Sequence, residues 1–158
     1  MLKEEKLLKA MLKNKLTLSI AESCTGGLLS HRITNIPGSS KVFLLGITAY
    51  SNEFKNKILK VPLKVIREKG AVSAEVVKAM AEGIRALAQA PLGIGITGIA
   101  GPDGGTKEKP VGTVFIGLST NKETFVSKFN FSGNRLEIKR KSTEKALEII
   151  LDFLAGHH

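Results

Sequence analysis

The fold is decided by the stretch Leu16-Thr17-Leu18-Ser19-Ile20-Ala21-Glu22-Ser23-Cys24-Thr25-Gly26-Gly27, in which an apolar run gives way to a turn. Residues 16–20 are mostly aliphatic and contain no breaker, a pattern typical of a β-strand. After Gly27, apolar residues recur at helical spacing until Pro37-Gly38 ends the pattern. The stretch therefore predicts a strand-to-helix corner, with Ser23 and Cys24 where the helix begins.

Such a corner has the chemistry of an anion or oxyanion site. The first turn of a helix leaves backbone N–H groups unpaired, and the helix dipole is positive there. Ser23 and Cys24 are both candidate nucleophiles, and a thiol at a helix N-terminus has a lowered pKa, which slightly favours Cys24. The structural alternatives are that Cys24 is a small buried hydrophobic residue and that Ser23 only caps the helix.

Outward from this corner, helical and strand patterns alternate along the chain. Two strands near the C-terminus form a predicted hairpin turning near Asn121-Lys122. The strand at 41–50 is almost continuously apolar, which indicates burial on both faces. The predicted fold class is α/β, a three-layer α/β/α sandwich with a mixed β-sheet. Besides the corner, the predicted helices are 2–14, 52–59, 62–69, 73–88 and 136–154, and the predicted strands are 41–50, 92–97, 111–120 and 124–131.

Length and composition predict one domain, residues 1–155 of the 158, followed by a purification-tag remnant at 156–158. No apolar run reaches the roughly 20 residues of a membrane span, and the mixed charges of the N-terminus do not resemble a secretory signal. A single cysteine fits a reducing compartment. We expect a cytoplasmic protein without a membrane partner.

A formal net charge of +10 raises the question of a nucleic-acid partner. The lysines are scattered and interleaved with glutamates, and the sequence has no Trp and one Tyr with which bases could stack. The charge therefore favours an anionic small molecule over nucleic acid as the partner. The sequence leaves open whether the chain forms a homo-oligomer.

The sequence contains two glycine-rich patterns, and only the second is a candidate for ligand binding. Gly93-Ile94-Gly95-Ile96-Thr97-Gly98 matches G-x-G-x-x-G but lies inside a predicted strand with no helix after it, which excludes a dinucleotide fingerprint. The loop at 98–105 is rich in glycine, and two alternatives are open for it. Its glycines let N–H groups converge on an anion or let a ligand approach the backbone, or the loop is only a flexible connection.

The residue inventory restricts the chemistry. Apart from the terminal pair, His31 is the only histidine. Eight residues of helix separate it from Ser23 by about 12 Å, too far for a Ser-His-Asp triad. One Cys and one internal His argue against zinc, so we expect neither a metal nor a cofactor. A base for Ser23 would be a lysine, a carboxylate or a tyrosinate.

Five motifs follow one another along the chain. They are Ala21-Glu22-Ser23-Cys24-Thr25-Gly26-Gly27, Tyr50-Ser51-Asn52-Glu53-Phe54-Lys55, Gly98-Ile99-Ala100-Gly101-Pro102-Asp103-Gly104-Gly105, Lys109-Pro110-Val111-Gly112-Thr113-Val114 and Phe131-Ser132-Gly133-Asn134-Arg135. In this order they resemble the motifs of the nicotinamide-nucleotide amidohydrolase family, also known as the C-terminal domain of the CinA competence/damage-inducible proteins. The resemblance covers about residues 5–154. Two positions depart from the family pattern: Phe54 stands where a small residue is common, and Asn134 where an aspartate is common.

The resemblance implies an amidohydrolase that converts nicotinamide mononucleotide to nicotinic acid mononucleotide and ammonia in pyridine-nucleotide recycling. It implies Ser23 as the nucleophile, Lys55 as its base and Tyr50 in the same hydrogen-bonded group. We predict that N–H groups near Cys24 to Gly26 hold the oxyanion and that Arg135 and the 98–105 loop hold the phosphate. The rival hypotheses are a non-catalytic nucleotide-binding or regulatory module and a nucleic-acid-binding protein. The predicted substrate-binding residues are Cys24, Thr25, Gly26, Gly27, Asn52, Thr97, Gly98, Ala100, Gly101 and Arg135.

Overall fold

The computed structural model describes residues 1–156, and the predicted tag residues His157 and His158 lie outside them. Among the described residues, no helix is both long enough and apolar enough to cross a membrane. The elements follow the predicted order, with a short 3₁₀ turn at Ser39–Lys41 in addition. They are α1 Lys3–Asn14, β1 Leu18–Glu22, α2 Leu28–Thr34, β2 Phe43–Thr48, α3 Asn52–Lys57, α4 Leu63–Lys69, α5 Ala74–Ala88, β3 Leu92–Gly98, β4 Thr113–Ser119, β5 Thr124–Asn130 and α6 Arg135–Leu154.

One mixed sheet with the strand order β2-β1-β3-β4-β5 forms the centre of the fold. Strand β1 is parallel to both β2 and β3. Strand β4 is antiparallel to β3 and to β5, with which it forms the predicted hairpin. The predicted α/β class with a mixed sheet is confirmed. Because β1, β2 and β3 are parallel, their carboxyl ends lie at one edge of the sheet, where ligand sites of such folds occur.

Apolar side chains cover both faces of the sheet. One cluster joins the sheet to α1, α2 and α6, and includes Leu7, Leu29 and Leu147. The other contains residues of α4 and α5, including Ile66 and Met80. These two clusters make the sandwich three layers thick.

Glycines in β3 let α5 lie unusually close to the sheet. A Cβ at Gly93 would be 2.4 Å from the carbonyl oxygen of Ala81, and one at Gly95 would be 2.8 Å from that of Val77. Real Cβ atoms do not approach backbone oxygens so closely, so larger residues would push the helix away. The G-x-G part of the pattern in β3 is therefore explained by helix-sheet packing.

The prediction that strand 41–50 is buried on both faces is wrong. Strand β2 lies at the edge of the sheet, and its residues alternate between half-buried and exposed. Leu44 is 50% exposed. An apolar run gives no information about a strand's place in the sheet, which is why the sequence did not reveal this edge position.

Candidate active site

Ser23 lies directly after β1, beside the carboxyl ends of the parallel strands β1, β2 and β3. Its backbone N–H donates to the carbonyl oxygen of Ile96 in β3 at 3.0 Å, which prolongs the β1–β3 pairing by one residue. Its side chain is almost fully buried. The sheet itself therefore fixes the position of this serine.

Lys55 approaches Ser23 from helix α3, which follows β2, the parallel neighbour of β1. Its helix, α3, begins after β2 and is capped by Ser51, whose hydroxyl accepts from the N–H of Phe54 at 3.2 Å. The Lys55 ammonium donates to Ser23 Oγ and to the carbonyl oxygen of Tyr50, both at 3.1 Å. Lys55 is 2% exposed, and its burial lowers the pKa of the amine below its ordinary value. Ser23 and Lys55 thus form a buried serine–lysine pair.

Tyr50 contributes its backbone, and not its hydroxyl, to this pair. The Tyr50 hydroxyl instead accepts from Nη2 of Arg135 at 2.9 Å. Nη1 of the same guanidinium donates to the carbonyl oxygen of Gly101 at 2.6 Å. The resemblance implied Tyr50 in the same hydrogen-bonded group as Ser23 and Lys55. The structure joins Tyr50 to Lys55 through its backbone carbonyl, and it shows no contact of the Tyr50 hydroxyl with Ser23 or Lys55 by which a proton could pass between them.

The expectation of a lowered thiol pKa at Cys24 is also wrong. Cys24 is 6% exposed, and burial together with the nearby Glu22 carboxylate raises its pKa to about 12. The helix whose dipole was expected to stabilise a thiolate begins only at Leu28. The thiol is therefore protonated at neutral pH.

Glu22 occupies the site that the sequence assigned to a bound anion. Its carboxylate is 1% exposed and accepts four hydrogen bonds. Oε1 accepts from the Thr25 hydroxyl at 2.6 Å and from the N–H of Leu29 at 2.9 Å. Oε2 accepts from the N–H and hydroxyl of Ser30 at 3.1 and 2.9 Å. Because Leu29 and Ser30 are in the first turn of α2, the protein's own carboxylate satisfies this helix end.

Glu22 therefore fixes the turn that carries Ser23, a role that our sequence reasoning missed. A signal was present, because an acidic residue that ends a buried strand needs hydrogen-bond donors.

Replacing Glu22 by Gln should weaken both the fold and the site. The amide would place N–H groups against the N–H donors of α2, so we expect a loss of about 1–3 kcal/mol in the free energy of unfolding. Loosening of the turn should lower kcat more than it changes KM. Denaturant melts and steady-state kinetics measure these effects. Ser30→Ala is the matched control, since it removes one hydrogen bond to the carboxylate and keeps its charge. A Glu22→Gln protein as stable and as active as the wild type would contradict this role.

A cavity of about 280 Å³ opens above the serine–lysine pair. Most of the predicted binding residues line it, and five further residues line it that were not in the predicted set. The predicted residues on its wall are Ser23, Cys24, Tyr50, Asn52, Lys55, Thr97, Gly98, Ala100, Gly101 and Arg135, and the additional ones are Ala71, Val72, Ile99, Asp103 and Gly104.

Three predicted binding residues, Thr25, Gly26 and Gly27, do not line this cavity. They border a separate depression beside His31 and Lys139. Gly26 and Gly27 have φ values of +63° and +98°, which turn the chain away from the cavity, and the Thr25 hydroxyl is bonded to Glu22. The predicted oxyanion site changes accordingly. The Gly26 N–H donates to the Ser23 carbonyl at 3.0 Å, whereas the N–H groups of Cys24 and Thr25 donate to no backbone carbonyl within residues 1–156, and that of Cys24 faces its own thiol.

The glycine-rich loop at 98–105 packs tightly against Val111, two residues before β4. A Cβ at Gly101 would lie 2.5 Å from Cγ1 of Val111, and one at Gly105 would lie 2.7 Å from its backbone nitrogen. The Ile99 N–H donates to the Thr113 carbonyl at 2.9 Å. This close packing argues against a flexible connection, which was one of the two alternatives that the sequence left open.

Fold and site together define an α/β domain whose cavity, at the carboxyl ends of parallel strands, contains a buried serine–lysine pair. Residues 2–154 match the CinA C-terminal domain, and the chain belongs to that family.

Similar proteins carry related names. A competence-damage inducible protein of Thermoanaerobacter sp. (strain X514) is 51% identical over 153 residues, which are 97% of this chain and 37% of the relative. A CinA-like protein of Thermotoga neapolitana is 49% identical over 145 residues, 92% of this chain and 35% of that protein. The chain thus spans little more than a third of the length of these relatives.

The fold agrees closely with a solved structure. The competence damage-inducible protein A (ComA) of Klebsiella pneumoniae superposes with a TM-score of 0.94 at 30% identity, over 97% of this chain and 95% of that one.

Proposed function

We propose that this chain is an amidohydrolase that deamidates nicotinamide mononucleotide to nicotinic acid mononucleotide and ammonia. The observation that carries the proposal is the contact of 3.1 Å between Lys55 Nζ and Ser23 Oγ at the floor of a cavity. A lysine whose pKa is lowered by burial is suited to accept the proton of a serine nucleophile.

The proposed reaction uses this pair in both of its halves. Neutral Lys55 takes the proton of the Ser23 hydroxyl directly, while Oγ attacks the carboxamide carbon. The N–H groups of Cys24 and Thr25, which no backbone carbonyl of residues 1–156 occupies, are the candidate donors to the resulting oxyanion. The Lys55 ammonium then protonates the leaving amide nitrogen, and ammonia departs from an acyl-enzyme. Water, deprotonated by Lys55, hydrolyses the ester and restores Ser23.

The cavity is compact. Its volume of about 280 Å³ lies just below the roughly 300 Å³ at which the usual range of small-molecule sites begins, so it favours a small ligand over a polymer. Arg135 lies on its wall, and a guanidinium is the side chain best matched to a phosphate. We assign the carboxamide of the substrate to Ser23 and the phosphate to Arg135.

Replacing Cys24 by Ala tests the rival nucleophile that the sequence left open. Because the thiol stays protonated, the variant should retain most of the wild-type activity, and an alkylating reagent should not inactivate the wild-type protein. Ammonia release measured for both proteins, with circular dichroism as a control for folding, checks this. Complete loss of activity in a folded Cys24→Ala protein would indicate that Cys24, and not Ser23, is the nucleophile.

The proposed function is tested by incubating the purified protein with nicotinamide mononucleotide and measuring ammonia and nicotinic acid mononucleotide. We expect both products in equal amounts. Calorimetric binding without ammonia release would instead support a non-catalytic nucleotide-binding module. Steeply salt-dependent affinity for DNA or RNA without ammonia release would support the nucleic-acid hypothesis.

A further inference from the structure

Asp103 is the only carboxylate among the described residues that line the cavity, whose wall also includes two cations, Lys55 and Arg135. Within residues 1–156, its side chain neither accepts a hydrogen bond nor belongs to an ion pair. The Arg135 guanidinium donates to the Gly101 carbonyl and to the Tyr50 hydroxyl, and it forms no ion pair with Asp103. The carboxylate of Asp103 is therefore not explained as a counter-ion of this arginine.

The backbone around Asp103 is held from both sides. Gly101 and Gly105 flank it, and both pack too closely on Val111 to allow a Cβ without displacement. Arg135 fixes the same segment at the Gly101 carbonyl with a hydrogen bond of 2.6 Å. This anchoring keeps Asp103 at the cavity wall without any bond from its own side chain. Because its side chain is exposed and makes no bond within the described residues, it is open to a ligand that enters the cavity.

We propose that the Asp103 carboxylate accepts hydrogen bonds from the ribose hydroxyls of the substrate and so selects a nucleotide over a simple carboxamide. This inference rests on the proposed function, which places the carboxamide at Ser23 and the phosphate at Arg135. The ribose joins these two groups and lies between them. Its two neighbouring hydroxyls are donors, and a carboxylate is the acceptor that other nucleotide sites use for them. Asp103 supplies the one such acceptor on the described cavity wall.

The test compares substrates as well as variants. Nicotinamide mononucleotide and its 2′-deoxy and 3′-deoxy analogues are assayed with wild type, Asp103→Asn and Asp103→Ala. Asp152→Ala is the matched control, because Asp152 is the only other aspartate in the chain and lies near the far end of α6, away from the cavity. In the wild type and the control, at least one analogue should lose about tenfold or more in kcat/KM, as expected for a hydrogen bond to a charged acceptor.

In Asp103→Ala, kcat/KM for nicotinamide mononucleotide should fall by a similar factor, and the penalty for the deoxy analogue should disappear. An unchanged deoxy penalty in Asp103→Ala would overturn the inference, as would an undiminished kcat/KM for the full nucleotide. Calorimetric Kd values for the same ligands test the contact without turnover. A wild type that binds nicotinamide mononucleotide but releases no ammonia would reject the deamidase, while the Kd comparison would still decide the role of Asp103.

Discussion

Ser23→Ala is expected to abolish ammonia release from nicotinamide mononucleotide while leaving the fold intact. The nucleophilic oxygen forms the acyl-enzyme, and loss of a catalytic serine reduces turnover by about 10⁴-fold or more. The Ser23 hydroxyl makes one described contact, with Lys55, whereas its backbone N–H is held by β3 and does not depend on the side chain. Stability should therefore change little.

Ammonia assays, substrate calorimetry and thermal melts on the same preparation measure these effects. Ser127→Ala is the matched control, because this serine lies on β5, at the opposite edge of the sheet from β2, and should leave turnover unchanged. A folded Ser23→Ala protein that binds substrate and turns over normally would end the serine mechanism. A variant that binds but does not react is the expected result.

Lys55→Met is expected to be nearly as inactive, since a positioned general base contributes about 10²–10⁴-fold. The matched control comes from the same helix. Lys57 is exposed and pairs with Glu53 at 2.7 Å, so Lys57→Met removes the same charge without entering the cavity. Turnover in Lys57→Met should stay close to wild type. Equal activity of the two methionine variants would show that Lys55 is not the base.

The two lysines should also differ in their effect on pH dependence. Turnover requires neutral Lys55, so kcat should rise with pH through the pKa of this amine, which burial lowers. The same shift acts on stability. Between the lowered folded pKa and the ordinary pKa of the unfolded chain, the unfolded state binds more protons, and the free energy of unfolding therefore rises with pH.

Lys55→Met removes the dependence of stability on the ionisation of this lysine, and with it the free-energy cost of burying its positive charge. At neutral pH its free energy of unfolding should therefore equal or exceed that of the wild type. Denaturant melts from neutral to alkaline pH, with Lys57→Met alongside, measure the difference. A strongly destabilised Lys55→Met protein would mean that the lysine holds the fold together.

Local patterns in the sequence predicted most of the secondary structure. The 3.6-residue period of α5 and the hairpin of β4 and β5 arise from neighbouring residues, and both appear where they were expected. The start of α2 was missed because it depends on the Glu22 carboxylate and on the positive φ angles of Gly26 and Gly27. The apolar periodicity used to place the helix contains no information about this carboxylate or these backbone angles.

The sequence by itself determined the order of the elements, the choice of Ser23 and Cys24 as candidate nucleophiles, and the need for a base other than histidine. Only the tertiary structure decided that Lys55, thirty-two residues from Ser23, lies within hydrogen-bond distance of it. The physical reason is the parallel pairing of β1 and β2, in which Glu22 is opposite Thr48. Because β1 and β2 are parallel, their carboxyl ends lie side by side, and the turn after β1 meets helix α3 after β2. Burial where they meet raises the pKa of Cys24 and lowers the pKa of Lys55.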